Sequence, residues 1–211
     1  SLNGKTILIW SEQGVGDTIT WSSCLSHITS QAKHCILECQ EKLVPLLKRS
    51  FPNIEVKAEN ISLDAERDDF DFHISMGSLY KNLSKEVFQN TKVDAYLKPD
   101  PDRVKYWKKC LNSLGNGPYI GVSWKSTLMT PGRVPNYAPI SEWSSLLTIP
   151  NVKFINLQPK DYAEDLNKIR QELGVIVHNF EDIDHWDNLE DVAALCAALD
   201  IVVSNKITVP L

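Results

Sequence analysis

Thr6-Ile-Leu-Ile-Trp-Ser-Glu-Gln-Gly-Val-Gly-Asp17 is the stretch that decides the fold of this chain. Its first five residues are mostly apolar and β-prone, which predicts a short buried strand. The two glycines that follow cannot continue a strand and predict a loop, after which residues 18–31 have the apolar spacing of a helix. A strand that runs through a glycine-rich loop into a helix indicates an α/β fold with a parallel sheet.

The same alternation continues along the chain and then restarts. Strands are expected at 35–39, 54–56, 72–74, 119–124, 152–157, 175–178 and 201–203, and helices at 41–49, 101–114, 140–147, 161–173 and 189–199. The pattern predicts one Rossmann-like half at 1–100, a linker helix and turn at 101–117, and a second half at 118–211. Because the second half stops just after a strand, we expect it to be incomplete, as in a C-terminally truncated chain.

Composition limits the class of protein. Hydrophobic residues make up 43% of the 211 residues, which is enough for a sizeable core. The formal net charge of −5 argues against a nucleic-acid partner, because neutralising phosphates needs a basic face. No apolar run approaches the roughly 20 residues of a membrane span, and no signal peptide is recognisable. We therefore expect a soluble cytoplasmic protein with no transmembrane segment.

Residue types that could bind a metal ion have simpler explanations here. The five cysteines are irregularly spaced, as expected for free thiols in a reducing compartment. Cys35 and Cys39, beside His34, fall on one face of a predicted strand, where core packing explains them. Two Asp-x-Asp pairs, at 69–71 and 182–184, lie in acidic loops where so short a pattern arises easily by chance. The sequence therefore predicts no metal site.

The first loop lies where ligands of α/β sheets bind, outside the carboxyl end of a strand. Gly14 and Gly16 would let the backbone approach a ligand closely, and Gln13 borders the same loop. The loop lacks both the G-x-G-x-x-G pattern and the lysine of a P-loop. Asp17 is either the N-cap of the following helix or a general base that takes a proton from a hydroxyl group, and spacing alone favours the cap.

Two later loops also follow predicted strands. Lys125, Ser126 and Arg133 offer two cations and a hydroxyl that could hold a diphosphate, although a solvated surface loop is the alternative. Ser204 and Thr208 follow the last strand, where hydroxyl groups could meet phosphate oxygens. Both loops are therefore candidates for binding phosphate groups.

The order of these segments resembles a known family. Residues 5–18 are similar to the opening of the glycosyltransferase domain that follows tetratricopeptide repeats in many bacterial proteins. That domain is related to glycosyltransferase family 9, the heptosyltransferases. Similar segments follow in the family's order over almost the whole chain, at 36–40, 71–74 with 78–79, 96–103, 120–126, 133, 156–158 and 191–204.

The resemblance implies a GT-B-like fold of two Rossmann-like domains, the acceptor in the first and the donor in the second. The expected donor is a nucleotide-diphosphate sugar, transferred with inversion to a hydroxyl on a glycan, a lipid-linked acceptor or a protein. Neither a metal ion nor another cofactor is implied, and tetratricopeptide repeats are expected elsewhere in the parent protein.

The resemblance also assigns roles to individual residues. It makes Asp17 the catalytic base in an acceptor-side loop with Gln13, Gly14 and Gly16. The residues it implies for donor binding are Lys125, Ser126, Arg133, Gln158, Ser204 and Thr208. Thr208 matches the family's threonine only if one residue is inserted, since without a gap that position is Ile207.

Two other classes of function stay open at this point. A non-catalytic Rossmann-like module could serve as a binding or scaffold domain beside tetratricopeptide repeats. A dinucleotide-dependent oxidoreductase is the other alternative, but it would need G-x-G-x-x-G and an acid just after the second strand. Glu38 lies within that predicted strand instead.

Overall fold

The structure, a computed structural model, describes residues 2–59, 67–82, 95–126, 131–132 and 134–205. The chain divides after Lys98 into two compact units, Ser1–Lys98 and Pro99–Pro210. Within the described residues, each unit contains a four-stranded sheet whose neighbouring strands are all parallel. The predicted α/β class with two parallel sheets is confirmed.

The first unit is built around its first strand. Its strands are β1 (Thr6–Trp10), β2 (His34–Cys39), β3 (Glu55–Ala58) and β4 (Phe72–Ser75), in the order β3-β2-β1-β4. Its helices are α1 (Val15–Ser22), α2 (Leu25–Thr29), α3 (Val44–Ser50, after a 3-10 turn at Glu41–Leu43) and α4 (Met76–Asn82). The apolar residues of β1 and β2 are buried except Trp10 at the end of β1, which is 37% exposed. Buried apolar runs of this kind are typical of a sheet covered on both faces.

The helix predicted at 18–31 was wrong in its bounds. It begins earlier, at Val15, because the peptide N–H of Thr18 donates to the carbonyl of Gly14 (3.0 Å). It is also broken, since α1 ends at Ser22 and α2 begins at Leu25. The hydroxyls of Ser22 and Ser23 donate to carbonyls three residues back, at 2.6 and 2.7 Å. Such local bonds compete with the helical pattern and favour a break at this point.

The helix α4 was not predicted, because its sequence is weakly helical. Gly77 and Ser78 have low helix propensity. Packing compensates, since the side chains of Met76 and Leu79 are buried at 0% and 1% exposure. Tertiary contacts rather than propensity therefore form this helix.

The second unit repeats the plan of the first. Its strands are β5 (Tyr119–Ser123), β6 (Lys153–Asn156), β7 (Val177–His178) and β8 (Ile201–Ser204), in the order β7-β6-β5-β8. Its helices are α5 (Pro101–Asn112), α6 (Ser144–Leu147), α7 (Ala163–Leu173) and α8 (Leu189–Ala198), with 3-10 turns at Val134–Asn136 and Ile140–Trp143.

Helices cover both faces of the second sheet. On one face, Trp107 and Leu111 of α5 pack with Leu195 of α8 and with Ile155 of β6. On the other, Phe154 of β6 packs with residues from α6 and α7 and their flanking turn, among them Trp143, Leu147 and Ile169. Successive residues of β6 thus point to opposite layers, as the strand period requires.

The segment expected as a linker packs inside the second unit. Asp191, at the start of α8, is only 6% exposed and accepts hydrogen bonds from α5. Its donors there are Arg103 Nε (2.5 Å), Arg103 Nη2 (2.9 Å) and Trp107 Nε1 (3.1 Å). The amide of Asn188 adds a further bond at 2.8 Å. α5 therefore belongs to the second unit. The expected acceptor and donor roles of the two halves stay a prediction.

The shared strand order gives each unit one preferred ligand position. The chain runs from the central first strand to one side and later returns to its other side. Loops therefore diverge between β1 and β4 and between β5 and β8 at the carboxyl ends of the strands. Open α/β sheets bind ligands at this point of divergence, called the topological switch point.

The described residues include all five cysteines and all the helices named above. All five cysteines are free, and Cys35 and Cys39 are buried. No described group of three or more His, Cys, Asp and Glu side chains is arranged to hold a metal ion. In the same part of the chain, every helix is too short or too polar to traverse a bilayer.

We expect Asp191→Ala to lower the free energy of unfolding of the second unit by about 2–4 kcal/mol. The substitution leaves the buried indole N–H of Trp107 without its acceptor and removes the bonds from Arg103 and Asn188. Urea unfolding followed by circular dichroism measures the change. Glu164→Ala is the control, because Glu164 is an exposed acid in the first turn of α7 and should cost under about 1 kcal/mol. Equal effects of the two substitutions would contradict the structural role of Asp191.

Candidate functional site

The loop between β1 and α1 is held by bonds to its own unit. The N–H of Ser11 donates to the carbonyl of Glu38 at 3.0 Å. The amide of Gln40, just after β2, donates to the carbonyl of Gln13 at 2.8 Å and accepts from the hydroxyl of Thr18 at 3.1 Å. These bonds tie the loop to the end of β2, at the edge of the sheet where ligands of open α/β folds bind.

Asp17 lies in the first turn of α1 and is exposed. The prediction that it is the N-cap was wrong, since Gly14 occupies that position without a side-chain hydrogen bond. Asp17 is three residues further on, and its Oδ2 lies 3.5 Å from the point where a Cβ of Gly14 would stand. The carboxylate thus folds back over the loop.

Glu12 is a second carboxylate at this strand end that sequence reasoning missed. Its Oε1 accepts from the N–H of Gly77, near the start of α4, at 3.2 Å. A Cβ on Gly77 would stand 2.8 Å from that oxygen and 2.9 Å from the Trp21 ring. A glycine inside a helix was the available signal, because it weakens the helix unless close packing requires it.

Glu38 does not have the surroundings that a dinucleotide ribose would need. It lies within β2 at 9% exposure, and its Oε1 accepts from Arg67 Nη1 at 2.7 Å. Arg67 also forms two hydrogen bonds with Asp69, at 2.9 and 2.8 Å. Because the carboxylate of Glu38 is already paired, the oxidoreductase alternative loses its required acid.

In the second unit, Gln158 clamps the loop that follows β5. Its side chain is fully buried, and Oε1 accepts from the hydroxyl of Ser123 and the N–H groups of Trp124 and Lys125, at 3.1–3.2 Å. Its Nε2 donates to the carbonyl of Lys125 at 2.8 Å. The resemblance implied donor binding by Gln158, and the structure brings it to the expected edge with its amide turned inward.

Two asparagines complete this edge of the second sheet. Asn156, at the end of β6, accepts from the N–H of Gln158 at 2.9 Å and donates to Asn179 at 2.8 Å. Asn205, after β8, donates from its side chain to the carbonyl of Trp124. The loops after β5, β6, β7 and β8 are thus tied to one another at their carboxyl ends.

Lys125 has a carboxylate partner in the same unit. Its Nζ lies 2.7 Å from Oδ2 of Asp165, in the first turn of α7. The same oxygen accepts from the indole N–H of Trp124 at 2.7 Å. Both side chains of the ion pair are about one quarter exposed, at 24% and 23%. Asp165 was not identified from the sequence, because its pairing joins residues 40 positions apart.

The remaining donor-side predictions are only partly located. Ser126 follows Lys125 and is half-buried, and Ser204 ends β8, where its hydroxyl donates to the carbonyl of Asn205. Lys125, Ser126, Gln158 and Ser204 therefore share one edge of the sheet. Arg133 and Thr208 lie outside the described residues.

The acidic loop after β7 is ordered by its own backbone. Asp184 accepts from the N–H groups of Trp186 (2.8 Å) and Asp187 (3.0 Å), and these bonds hold the pKa of its carboxyl below the usual range. His185 is 7% exposed, and both its ring nitrogens lack a partner among the described residues. Burial lowers the pKa of His185, with the charge of Asp184 opposing the shift.

A cavity of about 360 Å³ lies at the other end of the first sheet. It is bordered by Thr29 and Ser30 at the end of α2 and by His34 and Cys35 at the start of β2. Because ligands of parallel sheets bind at the carboxyl ends of strands, this cavity is not the candidate site.

Comparison with solved structures identifies the fold. The chain superposes on the crystal structure of a family 9 glycosyl transferase from Veillonella parvula DSM 2008 with a TM-score of 0.65. The match covers 95% of this chain and 75% of that one, at 12% sequence identity. The fold is GT-B-like.

Comparison with curated proteins finds one long match. The chain is 35% identical over 216 residues to Protein FlbA of Caulobacter vibrioides. The match covers 96% of this chain and 36% of FlbA, so the chain spans about a third of that relative's length. No protein-family model matches the chain.

We expect Gln158→Met to destabilise the second unit by about 2–4 kcal/mol, because three buried backbone groups lose their partner. Amide hydrogen exchange at Trp124 and Lys125 should become faster. Gln171→Met, at an exposed position of α7, is the matched control and should change little. Unchanged exchange at Trp124 and Lys125 would show that Gln158 does not hold the loop.

We also expect the stability of the second unit to fall as the pH drops below about 6.5. Burial lowers the pKa of His185 and of His178, so each stays neutral in the fold while the unfolded chain binds a proton. The loss runs from about pH 6.5 down to the lowered pKa values, at up to about 1.4 kcal/mol per pH unit for each histidine.

Urea unfolding between pH 5 and 7.5 measures this dependence. His185→Leu should flatten the profile, and His73→Gln, at an exposed position of the first unit, should not. An unaltered slope in His185→Leu would exclude His185 as its source.

Proposed function

We propose that this chain is a glycosyltransferase domain that moves a sugar from a nucleotide-diphosphate sugar to a hydroxyl acceptor with inversion. The observation that carries the proposal is that the two units of a GT-B-like fold present charges of opposite sign after their first strands. The strand end of the first unit carries the carboxylates Glu12 and Asp17, and that of the second carries the cation Lys125.

The chemistry of the transfer needs these two kinds of group. Asp17 takes the proton of the acceptor hydroxyl as the oxygen attacks the anomeric carbon, and its exposure leaves it accessible. The leaving diphosphate gains negative charge at the same time, and Lys125 stabilises that charge. Arg133, Ser126, Ser204 and Thr208 are proposed to contact the same phosphate groups.

Other residues hold this machinery in place. Gln40 and Gln158 fix the two loops through backbone bonds, so they act as positioning residues. Gln13, Gly14 and Gly16 line the acceptor side. The reaction is proposed to need no metal ion, so EDTA should leave turnover unchanged.

The setting of the domain is part of the proposal. The acceptor is a hydroxyl of a glycan, a lipid-linked molecule or a protein, and the domain acts in the cytoplasm beside tetratricopeptide repeats of the parent protein.

A non-catalytic scaffold role is the second candidate. It is favoured by the pairing of Lys125 with Asp165 and by the occupation of the N–H of Gly77 by Glu12. In that case these contacts would be purely structural, and nucleoside diphosphates would not bind.

Binding of the donor separates the two candidates. We expect UDP, GDP, ADP or dTDP to bind this chain in calorimetric titrations, and Lys125→Met to weaken the binding about 10- to 100-fold. Asp17→Asn should bind the same nucleotide with unchanged affinity. Absence of binding by all four nucleotides would favour the scaffold role.

Turnover tests the base. Release of nucleoside diphosphate from the matching nucleotide sugar, with water as acceptor, should fall about 10²- to 10⁴-fold in Asp17→Asn. Asp68→Asn, an exposed acid of the same unit, is the control and should keep normal turnover. Normal turnover in Asp17→Asn would exclude Asp17 as the base.

A further inference from the structure

The ammonium group of Lys125 forms an ion pair within its own unit. Its 2.7 Å contact with Asp165 places a carboxylate where an anionic ligand would have to bind the same cation. The pair is about three-quarters buried on both sides, so solvent screens it less than an exposed surface pair. An anion that binds Lys125 must therefore compete with Asp165.

The rest of the loop leaves Lys125 little freedom except in its side chain. The N–H and the carbonyl of Lys125 are both bonded to Gln158, and the indole of Trp124 is 3% exposed in the core. The N–H groups of Trp124 and Lys125 are thus occupied and do not point at a ligand. Attraction of an anion by residues 124 and 125 consequently rests on the lysine ammonium.

Asp165 can release the ammonium without losing all its partners. The oxygen that contacts Lys125 also accepts the indole N–H of Trp124 at 2.7 Å. If the ammonium swings to a phosphate oxygen, this bond keeps the carboxylate in position to take the cation back. The geometry is that of an exchange between two ion pairs of one lysine.

We propose that Asp165 is a return partner for Lys125 that weakens the binding of a diphosphate and speeds its release. The inference rests on the proposed function, in which Lys125 contacts the donor diphosphate. Asp165 acts through Lys125 and is therefore a positioning residue. Its role belongs to the release of the nucleoside diphosphate product, a step that limits turnover in many enzymes.

The test uses inorganic pyrophosphate and the nucleoside diphosphate that binds best. We expect Asp165→Asn to bind both about three- to tenfold more tightly and to release them more slowly by a similar factor in stopped-flow experiments. The asparagine oxygen still accepts the indole N–H, so the fold should be kept. A purely structural role for Asp165 would weaken binding or leave it unchanged.

Two control variants isolate the pair. Glu172→Gln removes one negative charge from the same helix at an exposed residue that pairs with Lys168 (3.9 Å), so it controls for net charge and should not tighten binding. In a Lys125→Met background, Asp165→Asn should not tighten the binding of either ligand. Should Asp165→Asn prove unstable in thermal unfolding, Asp165→Ala removes the same carboxylate and serves for the same comparison.

The outcomes separate this inference from the proposed function. If the wild-type chain binds pyrophosphate through Lys125 and Asp165→Asn binds no more tightly, the return role is overturned and the donor role stands. If Lys125→Met binds as well as the wild type, the donor role of Lys125 is overturned. If no variant binds, both ideas are overturned, since freeing the ammonium has then created no anion site.

Discussion

Parallel pairing on both sides of one central strand is the constraint on which the rest of this structure depends. β1 lies between β2 and β4, and β5 lies between β6 and β8. Because all strands in a unit run the same way, the loops that follow them gather at one edge. The chain leaves the central strand in opposite directions, and the loop after that strand is exposed to ligands. In each unit the residues that a ligand can reach therefore lie at the carboxyl edge of the sheet.

Both units stabilise the loop after the first strand in the same way. A glutamine shortly after the second strand bonds the backbone of the loop after the first, Gln40 in one unit and Gln158 in the other. A loop that presents polar side chains has backbone groups that need partners, and a side-chain amide can both donate and accept. The loops are consequently ordered without adopting helix or strand.

The two units differ in the charges that this common framework presents. In the first, Glu12 and Asp17 place two carboxylates at the carboxyl end of β1. In the second, Lys125 is held between its clamped backbone and the carboxylate of Asp165. A framework that is the same in both units thus presents carboxylates in one and an ion-paired lysine in the other.

The spacing of apolar residues and the positions of glycine and proline were sufficient to determine the α/β class and the loop that contains Asp17. They also placed every described strand to within a few residues, because these features depend on neighbours in the chain. They were insufficient for α4, for the break between Ser22 and Leu25 and for the inclusion of α5 in the second unit. Those features depend on burial and on bonds such as Arg103 to Asp191, which join residues 88 positions apart. The partners of Lys125 and Gly77 were likewise decided only by the tertiary structure. Folding brings Asp165 to Lys125 and Glu12 to Gly77, and the spacing of these residues in the sequence does not indicate that they are in contact.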